Sequence, residues 1–155
     1  MRLTIQRVKR AKVTVENEIV GQINHGVVVL LGFGVNDDNS QIKKAAQKVL
    51  KMRLWDTLKD PNQPDKKIKT WDSNLMQNNY GCLVVSQFTL YGYMNGNKPD
   101  FHKSLGHEKA EEYYKEFVEE LKKGYKEDLI QTGSFRKMMD VELVNDGPVT
   151  LNLEY

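Results

Sequence analysis

The chain has 155 residues, 39% of them hydrophobic and 28% charged, with a net charge of +2. At that length a single domain over residues 1–155 is expected, burying roughly two-thirds of its unfolded surface, so neither a disulfide framework nor a structural metal is needed. The near-neutral balance does not mark a nucleic-acid binder, a single cysteine cannot form an internal disulfide, and no apolar run suits a signal peptide or a membrane-spanning helix.

Leu3 and Ile5 alternate with Thr4 and Gln6, and Val13 and Val15 flank Thr14, so each stretch has the two-residue period of a half-buried strand. Glu16-Asn17-Glu18 forms the turn into a third strand, Ile19 to Ile23. Val27 to Leu31, between Gly26 and Gly32, is apolar on both faces and reads as a central strand. A helix follows, capped by Asp38, Asn39 or Ser40. Ile42, Ala45, Ala46, Val49 and Arg53 share one stripe of it, which continues near Leu50 and Leu54. Asp56 to Asn79 is polar, with Pro61, Pro64 and lysines at 66, 67 and 69. It is expected to be a long surface excursion with a short strand near Lys69 to Trp71.

Gly81 to Tyr91 is the most apolar segment and reads as a second central strand, with Cys82 as a small buried hydrophobe. Tyr93 to Lys103, rich in Gly, Asn and Pro, is expected to be a loop. A second helix runs from about Gly106 to Lys123. Ala110, Tyr113, Tyr114, Phe117, Val118 and Leu121 form its buried stripe, and Gly124 ends it. Strands return at Leu129 to Gln131, at Met139, Val141 and Leu143, and at Val149, Leu151 and Leu153. The order of elements is that of a mixed α/β domain with mostly antiparallel pairing and two helices packed on one face of the sheet.

Basic residues gather at Arg2, Arg7, Lys9, Arg10 and Lys12 and again at Lys66, Lys67 and Lys69, while Lys98, Lys103, Arg136 and Lys137 are scattered. Both a basic binding face and a plain solvated surface fit that distribution. His25, His102 and His107 have no metal-ligand spacing to one another or to Cys82, and no metal is expected. Gly32-Phe33-Gly34 lacks the third glycine of a dinucleotide loop, and no cofactor is expected. Ser86 is not in a Gly-X-Ser-X-Gly elbow and has no histidine near it in sequence, which disfavours a Ser-His-Asp triad.

Two segments resist a purely architectural reading. Ser86 and Gln87 place hydrogen-bonding groups in an otherwise apolar strand, Val84 to Leu90. Either a neighbouring strand satisfies them, or the strand end supplies donors to a developing oxyanion. Asp146-Gly147-Pro148 is a hairpin-turn signal. It is also a place where an X-Pro bond could be cis, and where a rigid Gly-Pro corner could serve as a steric gauge.

Together, Ser86-Gln87-Phe88-Thr89-Leu90 and Asn145-Asp146-Gly147-Pro148-Val149-Thr150 resemble the two signatures of the D-aminoacyl-tRNA deacylases. The resemblance runs the length of the chain and includes Arg2 to Val8, Leu30-Leu31-Gly32, Arg53-Leu54 and Lys98-Pro99-Asp100-Phe101-His102. It implies a β-barrel-like α/β fold and a homodimer with a cross-subunit active site. It also implies hydrolysis of the ester joining a D-amino acid, or glycine, to the 3′-terminal adenosine of tRNA; a cytoplasmic location with no membrane role is expected from the N-terminus and the single cysteine. Gly147 and Pro148 would form the chiral gauge through a cis bond, their carbonyls holding the substrate's amino group and leaving no room for an L side chain. Ser86, Gln87, Phe88 and Thr150 would line the reacting ester. The terminal ribose 2′-OH would assist in place of a protein nucleophile, leaving the role of Thr150 open. Phe135 and Met139 would contact the terminal adenine.

Around Phe135 the family reads Phe-Gly-Ala-X-Met, whereas this chain has Phe135-Arg136-Lys137-Met138-Met139. Arg136 in place of glycine puts the adenine contact in doubt and offers a phosphate contact instead. Two alternatives have other signatures. A sister deacylase acting on L-alanyl-tRNA would carry Pro-Gln-Ala-Thr-Leu and Thr-Asn-Gly-Pro-Tyr-Thr, against which Ser86, Phe88 and Val149 argue. A non-catalytic DNA-binding module would be expected to carry a C-terminal tail beyond Tyr155.

Overall fold

Strand β1 (Arg2–Val15) organises the architecture. It joins the two short strands expected at its ends into one of 14 residues, running straight through the basic stretch. A bulge between Val8 and Arg10 makes this possible. It rephases the pleat, so that Val8, Ala11 and Val13 all point inward while Lys9 and Arg10 stay in solvent. This computed structural model describes residues 1–57, 62 and 67–155. Pro61, Pro64 and Lys66 of the expected polar excursion lie outside them.

The remaining strands are β2 (Glu18–Ile23), β3 (Gly26–Gly32), β4 (Arg53–Trp55), β5 (Ser73–Asn74), β6 (Gly81–Ser86), β7 (Tyr93–Asn95), β8 (Lys98–Asp100), β9 (Ile130–Thr132) and β10 (Asp140–Glu154). The helices are α1 (Ile42–Lys51), the short α2 (Leu75–Asn78) and α3 (His107–Gly124). The main sheet has the order β10-β1-β3-β6-β9, with β2 paired to the far half of β1. β1 pairs antiparallel with β10, β3 and β2, while β3, β6 and β9 run parallel. Parallel neighbours need long crossovers, which is where α1 and α3 fall in the chain. The bend in β1 brings β2 round to β9. A Cβ added to Gly21 would lie 2.3 Å from the Thr132 carbonyl oxygen, which shows how closely the sheet comes to closing into a barrel.

Apolarity on both faces of β3 and β6 is explained by two cores. Val27, Val29, Leu31, Cys82 and Val84 face α1 and α3 together with Phe117 and Leu121. Val28, Leu83 and Val85 face the barrel interior with Val8, Ala11, Val13 and Ile23. Both helices lie on one face, and their buried stripes are those the spacing predicts, except that Ala110 is only partly buried.

Other boundaries differ from expectation. The α1 stripe stops at Lys51, because Met52 is extended at φ −60°, ψ 130° and turns the chain into β4, where Arg53 is exposed. None of Asp38, Asn39 and Ser40 caps α1. Gln41 holds that position without a side-chain bond, and Asp38 instead accepts the Ser40 N–H at 2.8 Å. Trp71, with φ at +55°, prevents the strand expected near Lys69 to Trp71, and pairing resumes at Ser73. The expected loop over Tyr93 to Lys103 contains the β7–β8 hairpin, and β9 begins at Ile130, after a 3-10 turn ending at Leu129. The turn at Glu16 and Asn17 is a two-residue hairpin with φ positive at both positions, as a type I′ turn requires. Among the described residues no helix is long and apolar enough to cross a membrane.

The largest departures concern the two informative segments. The strand expected from Gly81 to Tyr91 ends at Ser86. Gln87 bends at φ −144°, ψ 82°, and Phe88–Tyr91 coils into a 3-10 helix. The hairpin reading of Asp146-Gly147-Pro148 also fails, because β10 is a single strand alongside β1. Gln6 pairs with Thr150 and Val8 with Asn145, so residues 146–149 bulge opposite Arg7 alone.

Candidate active site

A cavity of about 750 Å³ opens at the carboxyl ends of the three parallel strands. Residues 31–33 line it after β3, residues 86–89 after β6 and residues 135–139 after β9, and the start of α3 completes the wall. Ligands commonly sit in a crevice beyond the carboxyl ends of parallel strands.

The β6 wall is held from several sides. The Gln87 N–H donates to the Leu31 carbonyl at 2.8 Å, and the Leu90 N–H returns to the Gln87 carbonyl at 3.2 Å. The Gln87 amide donates to the Thr89 hydroxyl. Ser104 donates to the Phe88 carbonyl at 2.9 Å, and the half-exposed Phe88 ring packs edge-on against Phe101 at 5.0 Å. The N–H groups of Phe88 and Thr89 open the 3-10 helix and have no acceptor among the described residues. Free N–H groups are normal for the first turn of a helix. Here they belong to residues that line the cavity.

On the opposite wall, Tyr114 of α3 is buried and donates its hydroxyl to the Val84 carbonyl at 2.8 Å. Burial pushes its phenol pKa well up, so it stays a neutral donor. Its ring packs against Phe135 at 5.6 Å. The Gly133 N–H donates to that same carbonyl at 2.9 Å, and the Met139 sulfur sits where a Cβ on Gly133 would go, 2.8 Å away. No group of His, Cys, Asp and Glu able to hold a metal occurs among the described residues. Cys82 lies deep in the sheet, and burial alone pushes its thiol up to about 12, so it is no nucleophile.

The structure thus gathers Ser86, Gln87, Phe88, Phe135 and Met139 around one cavity. Gly147, Pro148 and Thr150 are not part of its lining. They are exposed on β10, where the Gly147-Pro148 peptide is cis and Thr150 faces Gln6 of β1. Arg7 braces that corner. Its Nε lies 3.2 Å from Asp146 Oδ2 and donates to the Asp146 carbonyl at 3.1 Å, while Nη1 donates to the Leu54 carbonyl and the guanidinium lies 5.7 Å from the Trp71 ring centre. A charged fork held at two carbonyls and a carboxylate fixes direction as well as distance.

Sequence reasoning did not single out Arg7, because its neighbours Lys9, Arg10 and Lys12 carry the same charge in the same stretch. Tyr114 carries only the helical spacing of a buried stripe, which gives no sign of a site. Phe101 and Ser104 reach the cavity from an apparent loop, and Phe101 stood in the Lys98-Pro99-Asp100-Phe101-His102 stretch, the one available signal.

The family model described as D-Tyr-tRNA(Tyr) deacylase matches residues 4–154. The D-aminoacyl-tRNA deacylase of Dictyostelium discoideum is 40% identical over 154 residues, covering 99% of this chain and 97% of that protein. D-aminoacyl-tRNA deacylase 1 of Homo sapiens is also 40% identical over 154 residues, covering 99% of this chain and 70% of that protein. A solved structure titled c-Myc DNA Unwinding Element Binding Protein superposes with a TM-score of 0.87 at 40% identity, covering 100% of this chain and 99% of that one. Another, of a probable eukaryotic D-amino acid tRNA deacylase, has a TM-score of 0.78 at 16% identity, with 98% of each chain covered, and shares the fold.

Proposed function

The chain belongs to the D-Tyr-tRNA(Tyr) deacylase family, and from that premise we propose that it cleaves the ester between a D-amino acid, or glycine, and the 3′-terminal adenosine of tRNA, refusing L-residues at a Gly147-Pro148 corner supplied by a second copy of the chain. One observation carries the cross-subunit part. The two signature segments are apart, with residues 86–89 lining the cavity and Gly147, Pro148 and Thr150 exposed on the edge of the sheet. A second copy unites them if its corner enters this cavity. The edge suits such an arrangement, because β10 is 15 residues long, has no partner on its outer side among the described residues and exposes Val141, Val144 and Leu151. Long open edges invite pairing with another chain.

In this reading Phe135 stacks on the adenine, with Met139 filling the space beside it. Ser86 and Gln87 orient the ester. The free N–H groups of Phe88 and Thr89 receive the oxyanion that forms when water attacks the carbonyl. The corner's carbonyls take the substrate ammonium, so selectivity comes from excluding the L side chain rather than from recognising the D one. No hydrogen bond joins Ser86 or Thr150 to a histidine among the described residues, and an unassisted hydroxyl is a weak nucleophile. Attack therefore relies on positioned water and the substrate's own ribose 2′-OH. Thr150→Ala is accordingly expected to keep more than about a tenth of wild-type kcat, since only positioning is lost. A loss beyond about 1,000-fold in single-turnover assays would make Thr150 the nucleophile.

Incubation with D-Tyr-tRNA and L-Tyr-tRNA tests the reading as a whole. The D-ester should disappear far faster than its spontaneous hydrolysis, and the L-ester at its spontaneous rate. Equal rates for the two would sink the proposal. A stable monomer with full activity in sedimentation would sink the cross-subunit part alone. The similar structure titled as a DNA-unwinding-element binder raises a second reading, in which the chain binds DNA without catalysis. A protein that shifts duplex DNA in a gel but leaves D-Tyr-tRNA intact would favour it.

A further inference from the structure

The wall formed by residues 135–139 has a feature that the ester chemistry leaves unused. Arg136 is the third residue of a turn closed by the Lys137 N–H on the Ser134 carbonyl at 3.4 Å, and its φ is +60°. At that position a left-handed backbone suits glycine, and any Cβ crowds the following carbonyl. A non-glycine residue held in such a conformation beside a cavity is an outlier of the kind that gathers at functional sites.

The surroundings show what the side chain is for. The residues lining the cavity include Arg136, Lys137 and His107 and not one aspartate or glutamate. Among the described residues, no carboxylate lies within ion-pair distance of Arg136. Arg136 acts at a distance on Glu111 of α3, whose carboxyl is held below the usual range chiefly by Lys115 at 2.7 Å, and only secondarily by Arg136 and His107. Lys137 approaches Glu16 no closer than 3.7 Å, and both side chains are largely in water, where such a pair is weak. The cavity is therefore apolar and aromatic at Phe135 and cationic at the next two residues. A nucleoside fits the first part and a phosphodiester the second. Guanidinium groups bind phosphate through two parallel hydrogen bonds, and contacts of this kind fix register on a nucleic acid.

We propose that Arg136, assisted by Lys137, binds the phosphodiester on the 5′ side of the terminal adenosine, so that the site prefers an ester on a nucleotide chain to one on a free nucleoside. The inference rests on the deacylase reading and adds a positioning residue to it.

The test compares hydrolysis of the D-tyrosyl esters of adenosine and of the dinucleotide CpA, which differ by one phosphodiester and one nucleoside. Wild-type protein should prefer the dinucleotide ester by about tenfold in kcat/KM, chiefly through KM, as one charge-assisted contact allows. That ratio should fall to within about twofold of unity in both Arg136→Gly and Arg136→Gln, while Arg136→Lys keeps part of it. The plot of log kcat/KM against log salt for the dinucleotide ester should flatten by about 0.7 in Arg136→Gly, the loss of one contact to a single strand. Arg136→Gly should melt at or above the wild-type temperature, because glycine adopts the turn freely, which separates lost binding from lost folding. A tenfold preference surviving in Arg136→Gly and Arg136→Gln would overturn the assignment, as would a wild type with no preference. Hydrolysis of D-Tyr-tRNA but of neither small ester would overturn this inference alone, whereas hydrolysis of none of the three would refute the deacylase reading itself, and this inference with it.

Discussion

Gly147→Ala should lower kcat/KM for D-Tyr-tRNA about 100-fold, the cost of misplacing a positioning group by roughly 1 Å. At Gly147 φ is +132°, a conformation L-residues rarely adopt. An added Cβ would meet Val149 Cγ2 at 2.9 Å and the Val149 backbone nitrogen at 3.0 Å, with Arg7 Nη2 at 3.4 Å. The side-chain contact could rotate away, but the backbone contact could not. The corner must therefore open, and it would do so against the Arg7 fork that holds Asp146. Because Gly147 is exposed, the strain should cost about 1–3 kcal/mol and leave the protein folded. Single-turnover deacylation alongside a circular-dichroism melt would separate the two effects. A folded variant with wild-type turnover would remove the corner from the site.

Gly26→Ala should have the largest effect on stability. Gly26 sits opposite Gly81 across the parallel β3–β6 pair. Its Cβ would fall 1.9 Å from the Gly81 carbonyl oxygen, 2.7 Å from its carbon and 2.9 Å from its nitrogen. All three are backbone atoms of the neighbouring central strand, so no rotamer change relieves the clash and the strands must part where their pairing begins. The reverse substitution has no easy outlet either, since a Cβ on Gly81 would press on Ile23 at 2.7 Å. Overpacking with loss of ladder bonds is expected to cost about 4 kcal/mol, a large share of a stability of about 5–15 kcal/mol. The midpoint of thermal unfolding should drop by about 8–16 °C. A drop of less than about 3 °C would mean that the two strands yield more easily than their spacing implies.

Much of the fold could be read from the sequence, for a physical reason. Where a segment is buried on one side, its apolar residues must repeat with the period of the backbone. The stripes of α1 and α3 and the doubly apolar β3 were therefore identifiable as they stand. The long strands were not. β1 crosses its basic run on one bulge, and β10 crosses Gly147-Pro148 on another, and a bulge shifts the period that the reading depends on. Gly26 carries the signal of a strand end, which it is, but not of its crowding, because the backbone that presses on it, at Gly81, comes from a distant segment. The same holds for the site. Ser86 to Leu90 stood out as polar groups in an apolar strand, and Asn145 to Thr150 as a turn signal. Arg7, Tyr114 and Ser104 carry ordinary surface, core and loop signals, and only what each meets in space sets it apart: Asp146 for Arg7, the cavity wall for Tyr114 and Ser104.

The cavity borrows its walls from three separate returns of the chain, after β3, after β6 and after β9, and none of these stretches belongs to either apolar layer as a whole. Residues 133–139 could be exchanged in one step, by an insertion or a short transplant, without rethreading the sheet or disturbing residues 86–89. Under the proposed function, the addressing of the nucleotide end and the handling of the ester would then be free to diverge independently in descendants of this scaffold, one lineage changing which acceptor it serves while the hydrolytic half stays inherited.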